Sequence, residues 1–162
     1  MKRTENNEAL LRRVKAQCRR SAKISAEAEK IRREMDHNIR WAEKLLSMEE
    51  SQRTMKENSL LEYLSEFLAA ERRKLDYAEN HMQCMIDIID RIETEALRFP
   101  AYANLVHGYT YEKIEKTLTS GTTLMASRLS REIADAVMSW EKETDPERIR
   151  EFLDTEALMD LP

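Results

Sequence analysis

Glycine, proline and cysteine are nearly missing from this chain: 162 residues include 2 Gly, 3 Pro and 2 Cys, and aromatic residues make up only 6%. A sheet needs strands of β-branched and aromatic residues bounded by turn signals, and no such runs occur, so a strand framework is excluded. Cys18 and Cys84 stand 66 residues apart with no paired spacing. That excludes a disulfide scaffold and leaves two reduced, half-buried thiols as the expectation. No apolar run approaches the roughly 20 residues that span a bilayer, and Met1 to Glu8 is polar without an apolar signal region. A cytoplasmic location without membrane contact is therefore expected.

What the chain has instead is charge and helix formers. Charged residues make up 36%, and Ala, Leu, Glu, Lys, Arg and Met, which lose little rotamer freedom in a helix, are abundant. The class that fits is all-α. The net charge of -4 hides an asymmetry: residues 1–40 carry 12 Lys and Arg against 6 acidic residues, and residues 141–162 carry 3 against 8. Arg12, Arg13, Lys15, Arg19, Arg20, Lys23, Lys30, Arg32 and Arg33 form a basic head. As a helix it could track a phosphate backbone, although such runs more often form a solvated face beside an acidic neighbour.

The spacing predicts a first long helix from about Glu8 to Met48. Leu10, Val14, Ile24, Ala28, Ile31, Met35, Ala42 and Leu45 form its heptad-like seam, interrupted by Gln17, Ser21 and Asn38. Two capping boxes follow, Thr54 with Glu57 and Ser59 with Glu62, and mark a hairpin reversal. A second long helix is predicted over 60–97, with Leu61, Leu64, Leu68, Leu75, Ala78, Met82, Met85, Ile89, Ile92 and Ala96 on its stripe and Glu71 interrupting. Pro100 should end or kink it. So long a stripe needs the first helix, a second copy or another protein against it, and a homodimer through the long helices is the expected solution.

After Pro100 the helices become short. Gly108 suits the position just past a helix end, and Thr110 can cap a helix holding Tyr111, Ile114 and Leu118. Thr119, Ser120 and Gly121 form a turn. A further helix then places Met125, Leu129, Ile133 and Val137 on one face. Two short helices joined by a tight turn make a helix-turn-helix. The expected organisation is a helical hairpin over 1–97, a helix-turn-helix bundle over 98–143 and an acidic helix or tail over 144–162.

The run GYTYEKIEKTL followed by SRLSREI resembles region 4 of sigma-70-type factors. It carries Gly108, Tyr111, Glu112, Ile114, Leu118, Met125, Ser127, Arg128 and Leu129 at the family's places without a gap. IIDRIETEALRF, residues 88–99, is similar to the helix before the motif in ArpU-type phage and prophage late-transcription regulators. The resemblance covers residues 85–138 and implies a DNA-binding transcriptional regulator. Thr122, Thr123, Ala126, Ser127 and Ser130 would then enter the major groove, Arg128 and Arg131 would contact phosphates or guanines, and Thr110 and Tyr111 would touch the backbone. Glu115 stands where the family usually has Ala. The recognition helix sets Arg128 and Arg131 against Glu132 and Asp135, so its charge is near neutral. Dimerisation, or residues 12–40, must supply the missing phosphate attraction.

A second class of reading assigns the work to residues 8–97, as a coiled-coil interaction protein such as a phage- or secretion-associated adaptor or inhibitor. If the chain's own N-terminal helices cover Thr122, Thr123, Ser127 and Arg128, this reading gains. His81 and Cys84 share a helix face but lack two further ligands, so a core thiol beside a surface histidine is expected and no metal or cofactor. With no Glu-x-x-His motif and no Gly-rich phosphate loop, an enzyme is not expected. Trp41 and Trp140 are expected as packing anchors, Trp140 closing the C-terminal helix onto the motif. Thr144-Asp145-Pro146-Glu147 starts a helix. Ile149, Phe152, Leu153, Leu158, Met159 and Leu161 suit docking on the core, or engagement of RNA polymerase or another protein.

Overall fold

The computed structural model describes residues 2–117 and 126–162, with side chains from Asn7 onward except that of Ala126. Among the described residues there are eight α-helices, two 3-10 turns and no strand. The helices are α1 (Lys2–Cys18), α2 (Ser21–Leu46), α3 (Met55–Asp90), α4 (Arg98–His107), α5 (Tyr111–Thr117), α6 (Ala126–Glu143), α7 (Pro146–Leu153) and α8 (Thr155–Leu158). None is long and apolar enough to cross a membrane. α2 and α3 pack along each other as a hairpin. Of the two candidate capping boxes the first is used: Thr54 Oγ1 accepts from Glu57 N–H at 3.1 Å, and Glu57 returns the bond to Thr54 N–H at 3.0 Å.

Both long helices differ from their predicted bounds. The first is two helices, separated at Arg19 and Arg20. Neither Gly nor Pro causes the break. Ser21 Oγ donates to the Cys18 carbonyl at 2.7 Å, satisfying an acceptor that a continuous helix would have paired with a backbone N–H. The break thus falls between Gln17 and Ser21, two of the polar residues on the seam. The second helix ends at Asp90, and Ala96 lies exposed in a 3-10 turn. Pro100 does not end it. It sits in the first turn of α4, where its missing N–H costs nothing.

Among the described residues, two apolar clusters hold the helices together. The larger joins Val14 and Cys18 of α1 and Cys84, Met85 and Ile88 of α3 to Leu105, Ile114, Leu129, Ile133, Trp140 and Phe152. Trp140 meets Phe152 edge-on with centroids 5.5 Å apart, which closes α7 onto α6. The smaller packs Ile24, Ala28 and Ile31 of α2 on Leu75 and Ala78 of α3, with Met159 from just beyond α8. The C-terminal segment is therefore docked: Phe152 and Met159 are buried. The α3 stripe that implied a dimer is met from within the chain, by α2 on its first part and by α4, α6, α7 and α8 on its second. Trp41 is the exception among the expected anchors, at 46% exposed.

The two thiols are more deeply placed than half-buried, Cys18 at 1% and Cys84 at 0% exposure. Burial, reinforced by Cys84, pushes the Cys18 thiol up to about 12. His81 is also buried, where a surface histidine was expected. Its ring stacks on Phe152 at 4.9 Å, and Nε2 lies 2.8 Å from Ser21 Oγ. Because the Ser21 hydroxyl donates to Cys18, its lone pair is left to accept from His81 Nε2–H. Nδ1 is then the bare nitrogen, and it has no protein partner. Protonation would bury a charge and an unpaired N–H together, and burial lowers the His81 pKa from 6.5 to about 4, although Glu156 opposes this.

A histidine depressed in the folded state contributes stability that is present above pH 6.5 and is lost as the pH falls toward 4. Between pH 6.5 and 5 that loss should reach about 2 kcal/mol, at about 1.4 kcal/mol per unit. Urea unfolding across this range should show it, and His81→Leu should flatten that part of the acid limb while lowering stability at pH 7 by about 1–2 kcal/mol for the lost bond to Ser21. Equal pH slopes in the two proteins would refute the assignment.

Candidate nucleic-acid interface

The turn from α4 into α5 is built by local capping. Gly108 ends α4 in the left-handed region at φ 69°, and the Tyr109 N–H returns to the Ala103 carbonyl at 3.2 Å. Asn104 Nδ2 donates to the Tyr109 carbonyl at 2.9 Å and fixes the turn. Thr110 Oγ1 accepts from Lys113 N–H at 3.1 Å and caps α5. Ile114 on α5 and Leu129, Ile133 and Val137 on α6 are fully buried in the larger cluster. Thr122 and Thr123, with Leu118 to Met125 as a whole, lie outside the described residues, and Ala126 enters only as the first backbone residue of α6.

Of the remaining site residues, Thr110, Ser127, Arg128 and Arg131 are exposed and Tyr111 and Ser130 are half-buried. The N-terminal helices do not cover Ser127 or Arg128. Arg128 nonetheless has internal duties: Nε donates to Glu132 at 3.1 Å and Nη2 to Thr94 Oγ1 at 3.0 Å. Glu132 also accepts from Thr94 N–H at 2.9 Å and from Thr94 Oγ1 at 3.0 Å. This network ties the start of α6 to the connector between α3 and α4. Two of the three guanidinium nitrogens of Arg128 face inward, so it cannot grip a guanine with the whole fork without breaking these bonds. It is better placed to offer Nη1 to a phosphate.

The sequence pattern did not reveal what lies beside α5. Arg12 and Lys15 share one face of α1 at i and i+3, and Arg19 follows just past its end. Lys15 Nζ reaches Tyr111 Oη at 3.4 Å. The Arg19 guanidinium lies against the α4–α5 turn, so that a methyl group placed on Gly108 would stand 3.5 Å from Nη1. Lys113 stacks over the Tyr109 ring at 4.2 Å. Lys15 and Arg19, on either side of the end of α1, thus reach the α4–α5 segment, where cations and tyrosines alternate. Among the described residues no group of three or more His, Cys, Asp or Glu is placed to hold a metal ion.

Burial raises the Glu132 pKa, but the bonds from Thr94 and Arg128 outweigh it and hold the carboxyl below its ordinary value. Glu132→Gln should therefore cost about 1–2 kcal/mol at pH 7, and the difference from the parent should shrink as the pH drops below the carboxylate range. Thermal denaturation at pH 7 and pH 4 checks both; a variant as stable as the parent at pH 7 would mean the network holds nothing. Compared with protein-family models, curated proteins and solved structures, the chain matches none.

Proposed function

We propose that the chain is a DNA-binding transcriptional regulator, as the resemblance to sigma region 4 implies, in which α1 completes the interface. The observation that carries this reading is the seat of Lys15 on Tyr111 and of Arg19 on the Gly108 turn. The recognition helix alone is near neutral, and phosphate contacts supply much of DNA affinity. Arg12, Lys15 and Arg19 provide that attraction within one chain, so the reading does not depend on a dimer. Ser127, Ser130 and Arg131 are the described candidates for base edges, with Thr122, Thr123 and Ala126 beside them in sequence. Arg128 is held for a phosphate. No step of this reading uses a cofactor or catalysis.

Fluorescence anisotropy with duplex DNA over a range of salt concentrations tests it. Binding should appear at low salt, with log Kd rising linearly with log salt. Arg12→Ala and Arg19→Ala should each weaken binding by a similar factor for every duplex sequence and lower the salt slope by about 1. Arg131→Ala should also relax sequence preference if it reads bases. Lack of binding at about 50 mM salt would overturn the proposal, because the non-specific electrostatic attraction should appear there for any sequence.

A further inference from the structure

The far end of the α2–α3 hairpin is apolar and uncovered. Of eight exposed large hydrophobic residues among those described, six fall there: Ile39, Trp41, Leu46, Met55, Leu60 and Tyr63. Between residues 36 and 74 only Leu45 and Leu64 are buried hydrophobics, and neither core cluster extends into that stretch. On one flank His37, Asn38, Trp41, Leu60, Tyr63 and Leu64 line a groove between the helices. It adjoins a recess lined by His37, Arg40, Trp41 and Lys44, in which Lys44 Nζ stands 5.2 Å from the centre of the Trp41 ring. No carboxylate lines either one.

The same flank is covered further down the hairpin, and what covers it is the chain's own acidic C-terminal segment. Lys74 pairs with Asp160 at 3.7 Å, Lys23 donates to the Pro162 carbonyl at 2.8 Å, and Arg20 pairs with Glu156 at 2.6 Å. Met159 and Leu161 pack on that cluster, beside Tyr77. The groove lies on the same face two heptads along both helices, where Tyr63 matches Tyr77 but Leu60 stands in place of Lys74 and Glu34 in place of Arg20, so its cations are Arg40 and Lys44 instead. His37 follows Lys23, Leu60 precedes Lys74 and Tyr63 precedes Tyr77, each by 14 residues. Fourteen residues bring a helix back to nearly the same face, about 21 Å away. The covered part of this face accepts an amphipathic segment with apolar side chains between the helices and carboxylates on flanking cations; the groove offers an apolar floor of the same kind, with Arg40 and Lys44 beside it.

We propose that the groove around Trp41 and Tyr63 docks an acidic amphipathic helix of a partner protein. Leu60, Tyr63 and Trp41 form the apolar floor, and His37, Arg40 and Lys44 face the partner's carboxylates. A second copy docked through the same face would set Arg40 and Lys44 against their own counterparts, which argues against self-pairing here.

A peptide with the sequence of residues 144–162 serves as the acidic amphipathic probe, added to the full chain. Trp140 is fully buried and Trp41 is not, so acrylamide quenching of tryptophan fluorescence reads the groove. The peptide should protect Trp41 saturably, and Tyr63→Ala and Lys44→Glu should each weaken it about tenfold or more. Helical circular dichroism and affinity for duplex DNA should stay unchanged in both variants, which separates this site from the proposed DNA interface. Three results would overturn the proposal: no protection at millimolar peptide, equal binding by a peptide with its Asp and Glu amidated, or binding indifferent to both variants, meaning that the probe only displaces its own copy. Protection by duplex DNA instead would make the groove a nucleic-acid face, and protection by raising protein concentration alone would make its occupant a second copy; either replaces the proposal.

Discussion

α3 is 36 residues long, about 54 Å of helix, with apolar residues repeating along most of it. A helix exposing such a stripe to water forgoes about 25 cal/mol for each Å² left bare, and no single neighbour in a chain of this size is long enough to cover it. The chain divides the task. α2 lies along the first part, and α1 and α4 to α8 gather around the second, where Met85 and Ile88 enter the larger cluster. The uncovered groove follows from the same division: the C-terminal segment reaches Lys23 and Lys74, and the next two heptads are left with only their hairpin partner.

The break between α1 and α2 decides what the gathered end can do. A continuous helix would have carried Val14 and Cys18 on along the hairpin axis, away from the core in which they are buried. Ser21 ends α1 by taking the Cys18 carbonyl, and His81 holds the same hydroxyl from α3. The turn lets α1 cross to α4 and α6, and its basic face comes to rest beside α5. A single buried hydroxyl thus links the packing of the core to the electrostatics of the proposed interface. Its partner is a histidine whose protonation burial disfavours.

What could be read from the sequence was what depends on near neighbours. Gly108, Thr110, the Thr54–Glu57 box and the Asp145–Pro146 helix start each act across a few residues, and each is found in its place. The buried face of α6 follows helical periodicity and was legible for the same reason. The Glu132–Thr94 bond spans 38 residues, Lys15–Tyr111 spans 96 and Arg20–Glu156 spans 136. No periodicity encodes such pairs. Gln17, Ser21 and Asn38 stood out as polar interruptions of a seam, but the pattern does not say whether an interruption tunes a coiled coil or ends a helix. At Ser21 the reach of its hydroxyl to the Cys18 carbonyl decides for the second. Trp41 misled because a large aromatic residue is read as a packing anchor, and here it lies on a stretch of α2 beyond both core clusters.

The acidic tail gives the basic head its final form. Nine cations between Arg12 and Arg33 look equivalent in the sequence, yet the fold sorts them. Arg20 and Lys23 are occupied by Glu156 and the Pro162 carbonyl, so part of their charge is already answered. Lys15 on α1 and Arg19 just past its end reach the α4–α5 segment instead, at Tyr111 and Gly108. A segment with 8 acidic residues against 3 basic ones could have neutralised the whole head, had it been a flexible tail. Held by Phe152 and Met159, it meets only the cations within its reach and leaves Lys15 and Arg19 with their positive charge. The apolar docking of the tail therefore bears on the electrostatics of the proposed interface: burial fixes where the negative charge sits, and so which positive charge it can answer.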